Sequence, residues 1–314
     1  QVDVLRGCSI KYAYGDEVVT WAKDVFEMLK SRMDKPYSCF DGTCNPDAPS
    51  HWFKEFLDNP GGLDLYRQNY RLEDNPFLDP SVAENLRREY AGSVFFDRYI
   101  LGRWALAEGL IYQGFGEKNR YRGEIPHRRQ EESVRFISCD YGTVNPCVFL
   151  DLLVDRQGVV RMDNAYYYNS RDKQNGGRLK TDEEYYQDLR QLVFSRRIRY
   201  IQGQESGERV LEPECIIVDP SAASFIECIR RHGEFPVLPA DNNVPDGIRR
   251  TGVLINTGRL QVQEERCAPV IREFQSYAWN SKVADQDKPN KEYDHAMDAL
   301  RYFVNTIYGR RWPL

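Results

Sequence analysis

Hydrophobic and polar positions change their period several times along this chain, and each change marks an element. Ser9–Tyr14 alternates like a strand and stops at Gly15-Asp16-Glu17. Val18, Trp21, Val25, Phe26 and Leu29 then recur at helical spacing, predicting a helix over 18–33. Tyr37–Phe40 is a second short strand, followed by Thr43-Cys-Asn-Pro46. Strand, helix, strand with polar residues at the strand ends is an α/β arrangement. Asn59-Pro-Gly-Gly62 and Asp74-Asn-Pro76 are turn signals. Helical spacing returns over Ser81–Tyr90, opened by Asp79-Pro80-Ser81, and over Ser93–Leu106. Gly114–Gln130 is basic, carries Gly and Pro, and has little periodicity, so a domain boundary is expected there.

From residue 132 onward one domain unrolls. Val134–Cys139, Cys147–Val154 and Val159–Tyr168 read as strands, the last two joined by a turn at Asp155-Arg-Gln-Gly158. Thr181-Asp-Glu-Glu184 is a capping box that opens a helix to about Phe194. Ile216–Val218 is a fourth strand, Ser221–His232 a helix stopped by Gly233, and Pro236–Leu238 a short fifth strand. Helices are predicted at Ala268–Trp279 and Tyr293–Ile307, and polar loops at Gly203–Arg209 and Gly176-Gly177. This order resembles that of a ribonuclease H-like domain: a mixed five-stranded sheet flanked by helices. In that fold an acidic site forms where the first strand, the fourth strand and the last helix meet.

Three aspartates occupy those places. Asp140 ends the first strand, Asp219 ends the fourth, and Asp298 lies within the last helix. For Asp219, followed by Pro220-Ser221, capping of the next helix is an equal alternative, and Asp140 before Tyr141-Gly142 also suits a turn. Asp298 is harder to explain structurally. Asp is a weak helix former, and here it sits beside the apolar face of Ala296, Leu300, Phe303 and Ile307. His295 and Asp294 precede it by three and four residues, on adjoining parts of the same surface. Hard carboxylate oxygens favour Mg²⁺ or Mn²⁺, and a pair of such ions suits in-line phosphodiester hydrolysis. Asp140 would bridge both ions, Asp219 and Asp298 would each complete one side, and His295 would be a further ligand or an orienting group.

Composition narrows the alternatives. The chain has 314 residues, 41% hydrophobic and 29% charged, as in ordinary globular proteins. No apolar run approaches the ~20 residues needed to span a bilayer. The eight cysteines are scattered with no C-x-x-C pair, so reduced thiols in a cytosolic compartment are expected. The first residues, Gln-Val-Asp-Val, form no signal peptide and suit the cut end of a longer protein. A net charge of −5 gives no global attraction to nucleic acid. Basic clusters soften that objection, and Arg128, Arg129, Arg249 and Arg250 are the candidate DNA contacts.

With these residues in view, the chain resembles the large subunit of a tailed-phage terminase, the motor-nuclease that cuts and packages viral DNA. Asp294-His-Ala-Met-Asp-Ala-Leu-Arg-Tyr302 is close to the family's terminal nuclease signature, and Asp140 and Asp219 match its first two nuclease acids. Asp74-Asn-Pro-Phe-Leu78, Leu101-Gly-Arg-Trp104 and Glu108-Gly-Leu-Ile-Tyr112 are similar to the segment that joins its two domains. Tyr14-Gly-Asp-Glu17 resembles its Walker B sequence, with Asp16 on Mg²⁺ through water and Glu17 activating the attacking water. Thr43-Cys-Asn-Pro46, through Thr43 and Asn45, resembles its coupling motif. The resemblance implies an ATPase end at 1–59, a helical linker at 60–131 and a nuclease domain at 132–314. It further implies double-stranded DNA, a small subunit and a portal protein as partners, in the cytoplasm of a bacterial host. The sequence contains no G-x-x-x-x-G-K-[ST] phosphate loop. ATP hydrolysis is therefore expected only of a longer chain that carries one. The competing readings are a motor ATPase fragment, a non-catalytic portal-docking module, and a Holliday-junction resolvase or transposase of the same fold.

Overall fold

Alternation near the start of the chain yields a small parallel pair, and the helical spacing after it yields one amphipathic helix. The computed structural model describes residues 5–143, 145–172, 178–202, 205–280, 287–291 and 294–312, and the chain divides into two units. The first comprises Gln1–Gly109 with Trp279–Lys288. In it, β1 (Tyr12–Gly15) pairs in parallel with β2 (Cys39–Gly42), Tyr12 opposite Cys39. Between them α1 (Lys23–Arg32) buries Phe26 and Leu29. Phe26 meets Phe53 of α2 (Trp52–Asp58) at 5.8 Å, and with Val18 they form the small core. Asp79 caps α3 (Pro80–Tyr90), whose first residue is Pro, as expected. The helix expected over 93–106 ends at Ile100, because Gly102 takes a left-handed conformation (φ 62°) and turns the chain out.

The second unit comprises Leu110–Ala278 with Pro289–Leu314. Its elements are β3 (Arg120–Tyr121), α4 (His127–Glu131), β4 (Val134–Asp140), β5 (Cys147–Val154), β6 (Val160–Tyr168), α5 (Asp182–Ser195), β7 (Arg197–Gln202) and β8 (Glu205–Val210). There follow β9 (Ile216–Val218), α6 (Ala223–His232), β10 (Val237–Pro239), α7 (Val244–Asn256), β11 (Leu260–Gln263), α8 (Ala268–Ser276) and α9 (His295–Phe303). The main sheet is mixed, in the order β10-β9-β4-β5-β6-β11-β3. β4 and β5 lie near its centre and are buried along most of their length, β5 as an apolar run broken only by Asp151, because both faces are covered. Side chains of a strand alternate between faces. Ile137 and Cys139 accordingly enter the core beneath α5 and α6, with Tyr185, Leu189, Phe225 and Ile229. Phe136 and Ser138 point the other way, to α9: Phe136 meets Phe303 at 5.5 Å, and the Ser138 hydroxyl donates to the Ala299 carbonyl at 2.6 Å. Asp140 shares their parity, which is why it emerges at α9.

Several expectations are corrected here. The sheet has seven strands, not five, since β11 joins beside β6 and β3 beyond it. That pairing draws residues 110–131 into the second unit, so the division falls at Gly109/Leu110, ahead of the stretch 114–130. The polar loop expected at 203–209 is, in its described part, strand β8, antiparallel to β7. Gly203, Gly176, Gly177 and Tyr293 lie outside the described residues. α7 has no counterpart in the sequence reading. Its Gly247 packs tightly against α9, where a Cβ would stand 3.0 Å from the Arg301 side chain. Among the described residues, no helix is long and apolar enough to cross a membrane.

Candidate active site

The site lies in the second unit and is assembled from β4, the end of β9, and α9. Asp140, 15% exposed, directs Oδ2 to His295 Nδ1 at 2.8 Å. Asp219 uses its two oxygens differently. Oδ1 accepts the Ser221 backbone N–H at 2.7 Å in a local turn, while Oδ2 accepts the Tyr302 hydroxyl at 2.7 Å; the N-cap of α6 is Ala222, so Asp219 does not cap that helix. That same hydroxyl stands 3.4 Å from Asp140 Oδ1, so Tyr302 spans the two strand-end acids. Asp298 gives one oxygen to Arg301, three residues on in the helix. Arg301 is buried, and among the described residues its Nε and NH1 have no hydrogen-bond partner.

Burial, and then the charges of Asp298 and Asp219, push the Asp140 carboxyl above its usual range against the hydrogen bond from His295. Asp294 is pushed up to about 6 by burial and by the same crowding, chiefly from Asp298. Asp219 goes the other way: burial opposes its charge, but the Tyr302 hydroxyl and the Ser221 amide hold it below the usual range. Burial opposes the charge on His295 too, yet the hydrogen bond and charge of Asp140 raise its pKa. Tyr302 is raised and remains a donor.

Carboxyl groups thus outnumber the basic side chains, and they raise one another's affinity for positive charge. A set of hard oxygens with uncompensated like charge fits a divalent ion such as Mg²⁺ or Mn²⁺. Asp140, Asp219 and Asp298 do not bring three ligand atoms within 4.8 Å of one another. A pair of ions would not require this, because no single ion would need all three acids.

Glu273 and Tyr302 carry roles the sequence reading did not assign. From α8, Glu273 Oε2 accepts the first free amides of α9, Ala296 N at 2.7 Å and Met297 N at 3.3 Å, while Oε1 accepts the Tyr167 hydroxyl at 2.7 Å. An acid on the apolar face of α8, between Val270 and Phe274, was the available signal. Burial raises Glu273 from the ordinary 4.5 to about 7 despite these donors. The folded state therefore binds the extra proton in that interval, and wild-type stability falls as pH rises through it. Glu273→Gln keeps an acceptor without the charge. Relative to wild type it should gain up to about 3 kcal/mol between about pH 5 and about pH 8, by urea unfolding in EDTA. An unchanged gap would mean that Glu273 ionises normally.

The other sequence candidates fall elsewhere. Arg128 and Arg129 are exposed on α4, Arg128 beside Glu132 at 3.2 Å. Arg249 and Arg250 are half-buried on α7, Arg249 beside Asp246 at 3.4 Å and Arg250 packed near Gly309. In the first unit Thr43 Oγ1 donates to Asp16 Oδ1 at 2.5 Å, and Asn45 Nδ2 donates to Glu17 Oε1 at 2.9 Å. Glu17 is left-handed (φ 47°), a conformation uncommon for a non-glycine residue.

The large terminase of a thermophilic bacteriophage, in complex with ADP, is 35% identical and superposes with a TM-score of 0.83 over 98% of this chain and 72% of its own. The same protein in complex with ATP-gamma-S is 36% identical, with a TM-score of 0.83, covering 96% of this chain and 71% of its own. The terminase large subunit of Escherichia phage T5 is 25% identical over 320 residues, 98% of this chain and 68% of that protein. No protein-family model matches.

Proposed function

The chain belongs to the terminase large subunits of tailed phages, and on that premise we propose that its second unit is a metal-dependent DNA endonuclease. The observation that carries this is the meeting of Asp140, Asp219 and α9 through one hydroxyl, that of Tyr302. Acids from two separate strands meet at a side chain of the helix that also carries Asp298, and a turn role requires no such meeting. Asp140, Asp219 and Asp298 would hold the ions. His295 orients Asp140 through Oδ2, while Oδ1 faces the Tyr302 hydroxyl. Two bound Mg²⁺ or Mn²⁺ ions would supply a nucleophile at neutral pH and stabilise the attacking and leaving oxygens. The protein's part is to hold the carboxylates in register and keep Tyr302 protonated as their spacer. Double-stranded DNA is the substrate, in the course of packaging with a small subunit and a portal protein in the host cytoplasm. Arg128 and Arg129 are exposed and suit phosphate contacts better than the half-buried Arg249 and Arg250.

For the first unit we propose the nucleotide-responsive end of a motor domain. The bonds from Thr43 to Asp16 and from Asn45 to Glu17 tie a coupling segment to the acidic pair, so a change at either is transmitted to the other. Hydrolysis of ATP would require a phosphate loop, which residues 1–314 do not contain.

Supercoiled plasmid incubated with this chain and Mn²⁺ or Mg²⁺ should be nicked and linearised, and EDTA should stop it. No cleavage with either metal would overturn the proposal. Tyr302→Phe should keep metal dependence but slow cleavage roughly ten- to hundredfold, as expected from one lost hydrogen bond to a charged group at about 1.5–3 kcal/mol. His295→Ala should cost less than any ligand, since imidazole is a poor partner for a hard ion.

A further inference from the structure

We propose that Glu183, Cys228 and His232 form a second metal site, selective for a zinc-class ion, that clamps α5 to α6. Cys228 and His232 are four residues apart on α6, hence on one face and one turn apart. Glu183 reaches them from the first turn of α5. Among the described residues these are the only three acidic, Cys or His side chains whose ligand atoms all lie within 4.8 Å of one another.

One carboxylate oxygen, Glu183 Oε2, is the common point: it lies 2.8 Å from His232 Nε2 and 3.8 Å from Cys228 Sγ. A tetrahedral zinc, with Zn–S about 2.3 Å and Zn–N or Zn–O about 2.0 Å, separates its donors by about 3.3–3.5 Å. The observed spacings straddle that value, so shifts of a few tenths of an ångström admit the ion. The surroundings already orient two of the ligands. Gln187 Nε2 donates to Glu183 Oε1 at 2.8 Å, turning Oε2 inward. The His232 ring lies flat on Tyr186, centroids 3.8 Å apart and planes 5° apart, which fixes its Nε2 toward the carboxylate. Such outer contacts are the usual means of presenting a metal ligand.

The donor set decides the class of ion. A thiolate, an imidazole and one carboxylate oxygen suit borderline-soft Zn²⁺ or Co²⁺, not the hard ions proposed for the cluster around Asp140. The two sites are therefore chemically distinct on one domain. α5 carries Asp182, which accepts the hydroxyl of Tyr141, the residue next to Asp140, and α6 begins at Ala223, four residues beyond Asp219. A clamp between these helices steadies both strand ends that carry the nuclease acids.

The test titrates the metal-free full chain with Co²⁺ in a non-thiol reductant. Wild type should develop a sulfur-to-cobalt charge-transfer band, which Zn²⁺ then bleaches. The carboxylate cluster has no thiol and cannot contribute to it. Cys228→Ser should lose the band, and His232→Ala and Glu183→Gln should weaken Co²⁺ binding at least about tenfold. Zinc should also raise the melting temperature of wild type more than that of Cys228→Ser, with circular dichroism confirming that the variants fold. Absence of the band in wild type, or an undiminished band in Cys228→Ser, would overturn the proposal.

Discussion

The Asp140→Asn protein should fold, melt within a few degrees of wild type, and lose metal-dependent plasmid cleavage by about 10³-fold or more. The charge of Asp140 is the one that burial, Asp298 and Asp219 together oppose. An amide removes one source of that crowding, which offsets the lost pairing with His295. It cannot, however, serve as an anionic ligand. Asp140 is a cleaner probe than Asp298, because Asp298→Asn would also leave the buried guanidinium of Arg301 without its carboxylate. Calorimetry should show Mn²⁺ affinity falling together with cleavage. Cleavage at the wild-type rate would leave the metal reading without that ligand.

Arg135→Met should destabilise the second unit by about 3–5 kcal/mol. Arg135 is fully buried in β4 and grips Asp151 of β5 with two bonds, Nε to Oδ1 at 2.8 Å and NH2 to Oδ2 at 3.0 Å. Its remaining N–H groups donate to the carbonyls of Leu192, Val193 and Leu211. A methionine fills the space but strands those carbonyls and leaves Asp151 to Arg196 alone, at 3.0 Å. The contrast is Arg122→Ala, which removes an exposed pair with Glu264 and should leave stability unchanged within error. Urea unfolding of the two variants decides the matter: equal midpoints would mean that the buried network contributes nothing net.

Strands with both faces covered were legible because burial on two sides leaves a mostly apolar run, as in 147–154, where Asp151 is the one charged residue. The capping box at Thr181 and the left-handed stop at Gly233 were legible because they are local, and both stand where expected. α7 was hidden by Pro245, Gly247 and Gly252, residues that weaken helix propensity, one of them packed closely against Arg301. β3 and β11 are too short to show a period, and their pairing joins residues about 140 apart in sequence. In the site, the acids could be read because each ends or interrupts an element. Glu273 and the bridging role of Tyr302 could not, since both depend on which distant elements fold against one another.

The bonds that position α9 have a mechanical consequence. Ser138 fixes the helix along its length through the Ala299 carbonyl, and Glu273 holds its leading end through two amides. A part located on two dowels neither slides nor pivots, whatever pulls on it. Insertions or deletions upstream of Asp294 should therefore be absorbed before they reach His295 and Asp298. The approach to the site is then free to diverge between relatives while the spacing of its acids does not.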